Sequence, residues 1–162
     1  MSGMAMQARN LTLGGGALLV AFVADQASKT WVISEAARLA GGVPVLPGFN
    51  LVFGRNSGVT FGLFGDVPWW ALTIAAAAIC VWLLRLMIAA PTRTEALAAG
   101  LIIGGALGNV VDRLRFGAVT DFLDVYAGTW HWPAFNLADV AVVCGAALLI
   151  LRPLLAGRAT TS

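Results

Sequence analysis

The side chains of this sequence that are best suited to chemistry are carboxylates, namely Asp25, Asp112, Asp121, Asp124 and Asp139. Two carboxylates held close together cannot both ionise easily, so the pKa of one rises and the pair shares a proton. The charged member of such a pair activates a water molecule, and the protonated member donates to a carbonyl oxygen. We predict that Asp121 and Asp139 meet in space as a catalytic pair of this kind.

Other catalytic arrangements find little support in the sequence. His131 is the only histidine, so a zinc-protease HExxH helix is absent, and no phosphate-binding glycine loop is present. Ser28 and Lys29 are neighbours on a predicted helix and point about 100° apart, so they do not form a dyad with each other. A pairing of Ser57 with Lys29 stays open. Because His131 lies between two tryptophans, we expect an interfacial residue and no metal ligand.

Helical spacing predicts how several polar residues reach the two aspartates. Asn109, Asp112 and Arg113 are spaced i, i+3, i+4 and share one helix face. Asn136 stands where it would cap the last helix and place Asp139 in its first turn. The helix dipole favours the charged form there, so we expect Asp139 to be the more often ionised member of the pair.

Composition identifies an integral membrane protein. Of the 162 residues, 59% are hydrophobic and 11% are charged, and the mean hydropathy is +0.85, whereas soluble domains carry about 25% charged residues. The length suits a single domain over residues 1–162. A net charge of +2 without a basic tract argues against a nucleic-acid partner. Cys80 and Cys144 lie inside apolar runs and are predicted to be packed thiols.

The apolar runs predict an all-α membrane protein with four transmembrane helices, over about 11–33, 67–87, 96–114 and 136–155. Each run is near the roughly 20 residues that a bilayer requires. The first run resembles a secretory signal peptide. However, Phe22 occupies a position where signal-peptide cleavage requires a small residue, so we expect that this helix is retained.

The segments between these helices, 34–66 and 116–135, then lie together on one membrane side. Turn-forming glycines and prolines with β-prone residues in 34–66 predict a small extracytoplasmic β-cradle. We expect 116–135 to be a surface loop or helix that covers the site, with Gly117 and Gly128 as hinges. Asn56 is either a turn residue or a hydrogen-bond donor to the site.

The spacing of glycines and the positions of charged residues predict helix packing and membrane topology. Gly100, Gly104 and Gly108 form a face on which another helix can approach closely. Asp25 and Lys29 are spaced i, i+4, which fits an interfacial salt bridge and fits equally a role in holding the site.

Lysine and arginine residues divide evenly between the two sides of the membrane. When Lys29 and Arg113 are set aside as site residues, the terminal side leads weakly and both termini are predicted to be cytoplasmic.

Four blocks, in order along the chain, resemble the motifs of the lipoprotein signal peptidase (signal peptidase II) family. Residues 25–29, DQASK, resemble D-Q-x-[ST]-K, and residues 56–61, NSGVTF, resemble N-x-G-A-A-F. Residues 108–122 contain GNVVDR and then GAVTDF, which resemble G-N-[LI]-x-D-R and G-x-V-x-D-F. Residues 135–139, FNLAD, resemble F-N-x-A-D. Together the four blocks are highly specific.

The resemblance implies an aspartic endopeptidase of the bacterial inner membrane. Such an enzyme removes the signal peptide of a prolipoprotein, cutting just before a cysteine that carries diacylglycerol, and uses no metal or organic cofactor. Asp121 and Asp139 fall on its catalytic positions. The positions that support the site or the substrate are Asn56, Gly58, Asn109, Asp112, Arg113, Asn136, Asp25 and Lys29. The resemblance also implies contact with phospholipid and inhibition by the cyclic peptide globomycin, and we expect a monomer.

Val59 and Thr60 stand where the family motif has two alanines. These bulkier residues would alter how substrate or inhibitor fits without touching the acids.

Two other classes of function compete with the peptidase. One is a transporter or channel subunit with an ion relay, which needs charges deep in the spans, whereas residues 13–22, 71–82 and 140–150 carry none. The other is a scaffold with a structural charge cluster, in which Asp121→Asn would leave function intact.

Overall fold

The computed structural model describes residues 3–58 and 67–158, with side chains described as far as Arg152. The described chain folds into a helical bundle with a small antiparallel sheet at one end. The helices are α1 (Gly3–Ser34), α2 (Ala36–Leu39), α3 (Trp69–Ile88), α4 (Arg93–Phe116) and α5 (Leu137–Arg158). The strands are β1 (Val43–Leu46), β2 (Phe49–Asn56), β3 (Val119–Ala127) and β4 (Trp130–His131).

Among the described residues, three helices are long and apolar enough to cross a membrane: α1, α3 and α4. They correspond to the first three predicted spans. The fourth predicted span corresponds to α5, a helix of 22 residues, whose crossing of the membrane stays a prediction. At about 1.5 Å per residue, each of these helices reaches across a hydrocarbon core of about 30 Å.

Helix α1 begins about two turns earlier than its apolar run predicted. Polar side chains in these extra turns bind the free carbonyls at the end of α3. Gln7 donates to the carbonyl oxygen of Ile88 at 3.1 Å, and the buried amide of Asn10 donates to that of Ala90 at 3.2 Å. The last carbonyls of a helix have no partner within the helix, so these bonds hold the two helix ends together.

The predicted glycine face of α4 packs against α1. A Cβ atom on Gly100 would collide with the backbone of Gly14, and one on Gly104 with the backbone carbonyl of Leu18. Further along, a Cβ atom on Gly108 would collide with the carboxylate of Asp25. The missing side chains therefore bring the two helices into backbone contact and let the acid of α1 reach α4.

The sheet has the order β1-β2-β3-β4, and each neighbouring pair is antiparallel. The β-cradle predicted in 34–66 is present as β1 and β2. The prediction of a covering loop in 116–135 is wrong for most of that segment, because β3 is an inner strand paired with β2 from Phe49↔Val125 to Asn56↔Val119. Moving it as a lid would break these backbone hydrogen bonds.

Tight turns place β3 directly after α4. Gly117 ends α4 in the left-handed conformation, with φ of 67°, which is the usual role of glycine at a helix C-terminus. Gly128 has φ of 62° in the turn between β3 and β4. Both glycines are therefore turn residues. Val59 and Thr60, the departure from the family motif, lie outside the described residues.

The two cysteines differ. Cys80 is buried in a cluster with Leu83, Met87 and Ile103, as predicted. Cys144 is exposed on α5, so the prediction that it is packed is wrong. The error has a simple cause, because the outer face of a helix in a membrane bundle is as apolar as its inner face, and an apolar run does not tell them apart.

Candidate active site

A pocket of about 310 Å³ opens where β2, β3, α4 and α5 meet. It is lined by Asn56, Gly58, Asn109, Arg113, Val119, Asp121, Trp132, Pro133, Ala134, Phe135 and Asp139. Asp121 comes from β3 and Asp139 from the first turn of α5. The structure thus brings together the two aspartates that the sequence singled out, on two elements whose relative position is fixed by packing.

Asn136 joins the two aspartates. Its side-chain amide donates to Oδ1 of Asp121 at 2.7 Å. Its Oδ1 accepts from the backbone N–H of Asp139 at 3.0 Å, and its own backbone N–H donates to Oδ2 of Asp139 at 3.2 Å. This reciprocal cap is the helix start that the sequence predicted, and it satisfies two N–H groups that have no partner within the helix. Asn136 is fully buried.

Asn56, at the end of β2, binds the other oxygen of Asp121. Its amide donates to Oδ2 at 3.1 Å, while its own oxygen accepts from the backbone N–H of Gly58 at 3.2 Å. Both interpretations of Asn56 therefore apply, because its oxygen closes a turn with the N–H two residues later while its amide donates to Asp121. Gly58 holds the orientation of that donor.

Burial is the main cause that raises the pKa of Asp121, from 3.8 to about 6. The negative charge of Asp139 raises it further, whereas the hydrogen bonds from Asn56 and Asn136 lower it. Only 5% of Asp121 is exposed. At pH 7, about one unit above this pKa, such a carboxyl group keeps its proton in roughly one molecule in ten, far more often than an ordinary aspartate does.

Behind Asp139 lies a chain of buried polar contacts. Asn109 on α4 donates to Oδ1 of Asp139 at 2.9 Å, and its oxygen accepts from the ammonium of Lys29 at 2.8 Å. Lys29 also pairs with Asp25 at 2.9 Å and with Asp112 at 3.6 Å. All three charged residues are at most 2% exposed. The pair predicted at i, i+4 is therefore buried inside the protein, among the contacts that support the site.

The two acids beside Lys29 fix backbone positions on the elements that carry the pocket. Asp25 accepts from the N–H of Ala138 on α5 at 2.9 Å. Asp112 accepts from the N–H of Thr120 on β3 at 2.8 Å. Since Ala138 precedes Asp139 and Thr120 precedes Asp121, this one cluster positions both pocket aspartates. Lys29 is held here, which leaves the open pairing with Ser57 without support.

Arg113 lines the pocket with its positive charge near Asp139, Asp121 and Asp112. Its Nε is buried, and within the described part of the chain it has no hydrogen-bond partner. A donor left without a partner beside two carboxylates is available to a group that enters the pocket.

Sequence reasoning missed several polar residues around the site. Gln26 donates to Asp25 at 3.1 Å and to the carbonyl oxygen of Gly108 at 3.2 Å, which joins α1 to α4. Arg55 donates to the hydroxyl of Thr120 at 2.8 Å and lies 4.0 Å from the centre of the Phe116 ring. Gly108 and Thr120 lie far from Gln26 and Arg55 along the chain, so no local spacing pointed to these contacts.

Asp124 does not line the pocket, although it lies three residues after Asp121. It accepts from the amide of Asn50 at 2.9 Å, and its Oδ1 is 2.8 Å from Nδ1 of His131, whose ring stacks on Tyr126. Burial raises the pKa of Asp124, but the hydrogen bonds from His131 and Asn50 outweigh it and hold the pKa below 3.8. Among the described residues, His131 therefore contacts the side chains of the neighbouring strand β3.

Known proteins resemble this chain over most of its length. The signal peptidase (SPase) II family matches residues 17–155. The lipoprotein signal peptidase of Nitratidesulfovibrio vulgaris (strain DP4) is 45% identical over 140 residues, covering 82% of this chain and 84% of that protein. The lipoprotein signal peptidase of Yersinia pestis (strain Pestoides F) is 44% identical over 139 residues, covering 83% and 82%.

Solved structures agree with this relationship. A bacterial membrane enzyme determined by the in meso method at 2.3 Å resolution superposes with a TM-score of 0.73 at 25% identity, covering 96% of this chain and 92% of that one. A second such structure, at 1.9 Å resolution, also gives 0.73. With helices apolar enough to span a membrane and a match over the four motif blocks, the chain belongs to the signal peptidase II family, a family of membrane proteases.

Proposed function

We propose that this protein is an aspartic endopeptidase that removes the signal peptide from a diacylglyceryl-modified prolipoprotein. It cuts immediately before the cysteine that carries the lipid, and Asp121 and Asp139 are its catalytic residues. The observation that carries the proposal is the shared pocket in which Asn136 bonds both carboxylates and burial raises the pKa of Asp121 to about 6. Family membership supplies the substrate class.

The reaction uses the pair with one proton. Asp139, ionised at the N-terminus of α5, takes a proton from a water molecule whose oxygen attacks the scissile carbonyl carbon. Asp121 gives its proton to the carbonyl oxygen. When the tetrahedral intermediate collapses, the proton on Asp139 passes to the leaving nitrogen, the carbon–nitrogen bond breaks, and a hydroxyl of the intermediate returns a proton to Asp121.

The other residues of the site take supporting roles in this proposal. Asn56 and Asn136 orient Asp121, and Asn109 orients Asp139. Arg113 donates to the substrate backbone or to the intermediate, since its Nε is buried at the pocket without a described partner. The cluster of Asp25, Lys29 and Asp112 holds α1, α4, α5 and β3 together below the pair.

In the same proposal the chain is one multi-pass domain over residues 1–162 in the bacterial inner membrane. Helix α5 is the fourth span, both termini are cytoplasmic, and the pocket lies at the extracytoplasmic face, where the lipid-bearing cysteine of a substrate would sit. The protein acts as a monomer surrounded by phospholipid. Globomycin inhibits it by occupying the pocket.

The test is cleavage of a diacylglyceryl-modified prolipoprotein by the purified full-length chain in detergent. We expect Asp121→Asn and Asp139→Asn each to lower kcat by about 10⁴-fold or more, because each removes one half of the acid–base pair. Asp124→Asn is the matched control, since this acid lies on the same strand but outside the pocket. It should keep wild-type kcat.

Folding of each variant is checked by its thermal unfolding midpoint. Retention of turnover in folded Asp121→Asn or Asp139→Asn would show that the two acids are structural. An equal loss of kcat in Asp124→Asn would show that replacing an acid of β3 lowers activity by disturbing the fold, and not by removing a proton-transfer group.

A further inference from the structure

A second cavity lies far from the pocket, between the first half of α1 and the first turns of α4. It has a volume of about 670 Å³, and its wall is mainly apolar, with Leu13, Leu97 and Leu101 among the residues that line it. Gly16 opens it further, because a Cβ atom there would meet nothing within 4 Å. We call this cavity the Arg9–Arg93 groove after the two charged residues that line it.

The groove has the length of one membrane leaflet. Its residues on α1 run from Arg9 to Val20, which at about 1.5 Å per residue is roughly 16 Å. Half of a hydrocarbon core of about 30 Å is about 15 Å. The apolar part therefore suits an extended acyl chain that reaches from one membrane surface to the middle of the bilayer.

The charged part of the groove suits a phosphate group. Arg9 and Arg93 are both exposed, and neither makes a hydrogen bond or ion pair with any residue that the structure describes. Arg152 differs, because it pairs with Glu95. Guanidinium groups bind phosphate oxygens through paired N–H donors, and they extend readily from a helix end to the membrane surface.

The wall of the groove is fixed in place. On either side of Arg9, Gln7 binds the last carbonyl of α3, at Ile88, and Asn10 binds that of Ala90 two residues later. Gly14 packs against the backbone of α4. A groove with fixed walls loses little conformational freedom when a flexible chain enters it.

We propose that the Arg9–Arg93 groove binds one anionic glycerophospholipid from the leaflet on the side of the N-terminus of α1. One acyl chain lies along Gly16 and Leu97, and the phosphate lies between the two guanidinium groups. This site is separate from the aspartate pocket and does not depend on the proposed reaction.

The experiment is native mass spectrometry of the delipidated full-length chain in detergent with added dioleoyl phosphatidylglycerol. Dioleoyl phosphatidylcholine, with the same chains and no net charge, is the lipid control. We expect retention of the anionic lipid to exceed that of the neutral lipid and to fall roughly twenty-five-fold in Arg9→Gln/Arg93→Gln, because each arginine near an anionic lipid contributes about fivefold. Arg85→Gln, at an exposed arginine of α3 outside the groove, should bind as the wild type does.

A second variant tests the apolar part. Gly16→Leu places a bulky side chain in the groove from a position whose Cβ would meet no described atom within 4 Å, so it should lower retention of both lipids while its unfolding midpoint in detergent is maintained. Equal retention of the two lipids by the wild type, or full retention by the double variant, would overturn the proposal. So would displacement of the lipid by inorganic phosphate alone, or a dimer that Gly16→Leu dissociates without any change in bound lipid.

Discussion

Asn136 donates a 2.7 Å hydrogen bond to Asp121 from the same side chain that caps α5. The helix start and the strand are thereby joined at the point where the two aspartates face the pocket. A displacement of α5 relative to β3 would break this bond or else pull Asn136 away from the cap. The geometry of the aspartate pair therefore depends on the packing of the helix bundle as much as on the sheet.

Removing the other amide that binds Asp121 should change the pH dependence of cleavage. The hydrogen bond from Asn56 lowers the pKa of Asp121, so Asn56→Ala raises it above about 6. If Asp121 is the acid, activity is lost as pH rises through this pKa, and the alkaline limb of kcat/KM moves upward. The shift should be about one to two pH units, because a hydrogen bond to a charged group contributes about 1.5–3 kcal/mol.

Asn50→Ala is the control for this prediction. Asn50 lies on the same strand and makes an equivalent bond to Asp124 instead of Asp121, so its removal should leave the alkaline limb in place. An unmoved limb in Asn56→Ala, or an equal movement in both variants, would argue that Asp121 is not the group that titrates.

The raised pKa of Asp121 also predicts how stability changes with pH. The folded chain binds this proton more tightly than the unfolded chain, since the pKa rises from 3.8 to about 6 on folding. Its contribution to stability is therefore fully present below about pH 4 and is lost as pH rises to about 6, by about 3 kcal/mol in total. Relative to the wild type, Asp121→Asn should gain stability between pH 4 and pH 7, measured as the thermal unfolding midpoint in detergent.

Asp124→Asn should show the opposite sign. The pKa of Asp124 is held below 3.8 in the folded chain, so its stabilising contribution is present above that pH and is lost as pH falls through the folded value. Relative to the wild type, Asp124→Asn is expected to be less stable at pH 7 than at low pH. The same pH trend in both variants would contradict the assignment of the two environments.

The sequence predicted which side chains meet at the pocket better than it predicted what surrounds them. Asp121, Asp139 and the cap at Asn136 follow from residue type and short spacing, and the glycine face of α4 follows from its period of four. The partners of Lys29 could not be predicted in this way, because Asn109 and Asp112 lie about 80 residues away on another helix. Contacts between helices depend on their rotation and depth, which hydropathy alone does not determine.

Strand β3 was the main feature that the sequence left hidden. Its sequence, VTDFLDVYA, does not alternate between polar and apolar residues, and a strand this polar is stable only when a partner strand and a helix layer cover it. The partner is β2, some 70 residues earlier in the chain. The start of α1 was predicted too late for a related reason, since Gln7 and Asn10 are polar yet bind the chain at the end of α3.

Loss of the buried cation below the pair should strongly destabilise the protein. Lys29→Met leaves Asp25 and Asp112 buried without their positive partner, and breaking a buried ion pair in this way costs about 3–5 kcal/mol. Arg38→Met breaks a comparable but solvent-exposed pair with Glu35 and should cost less than about 1 kcal/mol. Unfolding in mixed micelles titrated with a denaturing detergent measures both. Equal losses would mean that the Lys29 cluster is open to water in the folded protein.

Close packing of α1 on α4 predicts opposite effects for two glycine-to-alanine changes. In Gly104→Ala the new methyl group would collide with the backbone carbonyl of Leu18, so the helices must separate, at a cost of about 1–3 kcal/mol. In Gly15→Ala the methyl group meets nothing within 4 Å, and alanine stabilises a helix interior by up to about 1 kcal/mol relative to glycine. The same denaturing-detergent titration should therefore move its midpoint down for Gly104→Ala and up or not at all for Gly15→Ala. A midpoint shift of the same sign and size in both variants would show that helix propensity determines the response, and not the contact between α1 and α4. Both substitutions change helix propensity alike, but only Gly104→Ala places a methyl group where the backbone of α1 already lies.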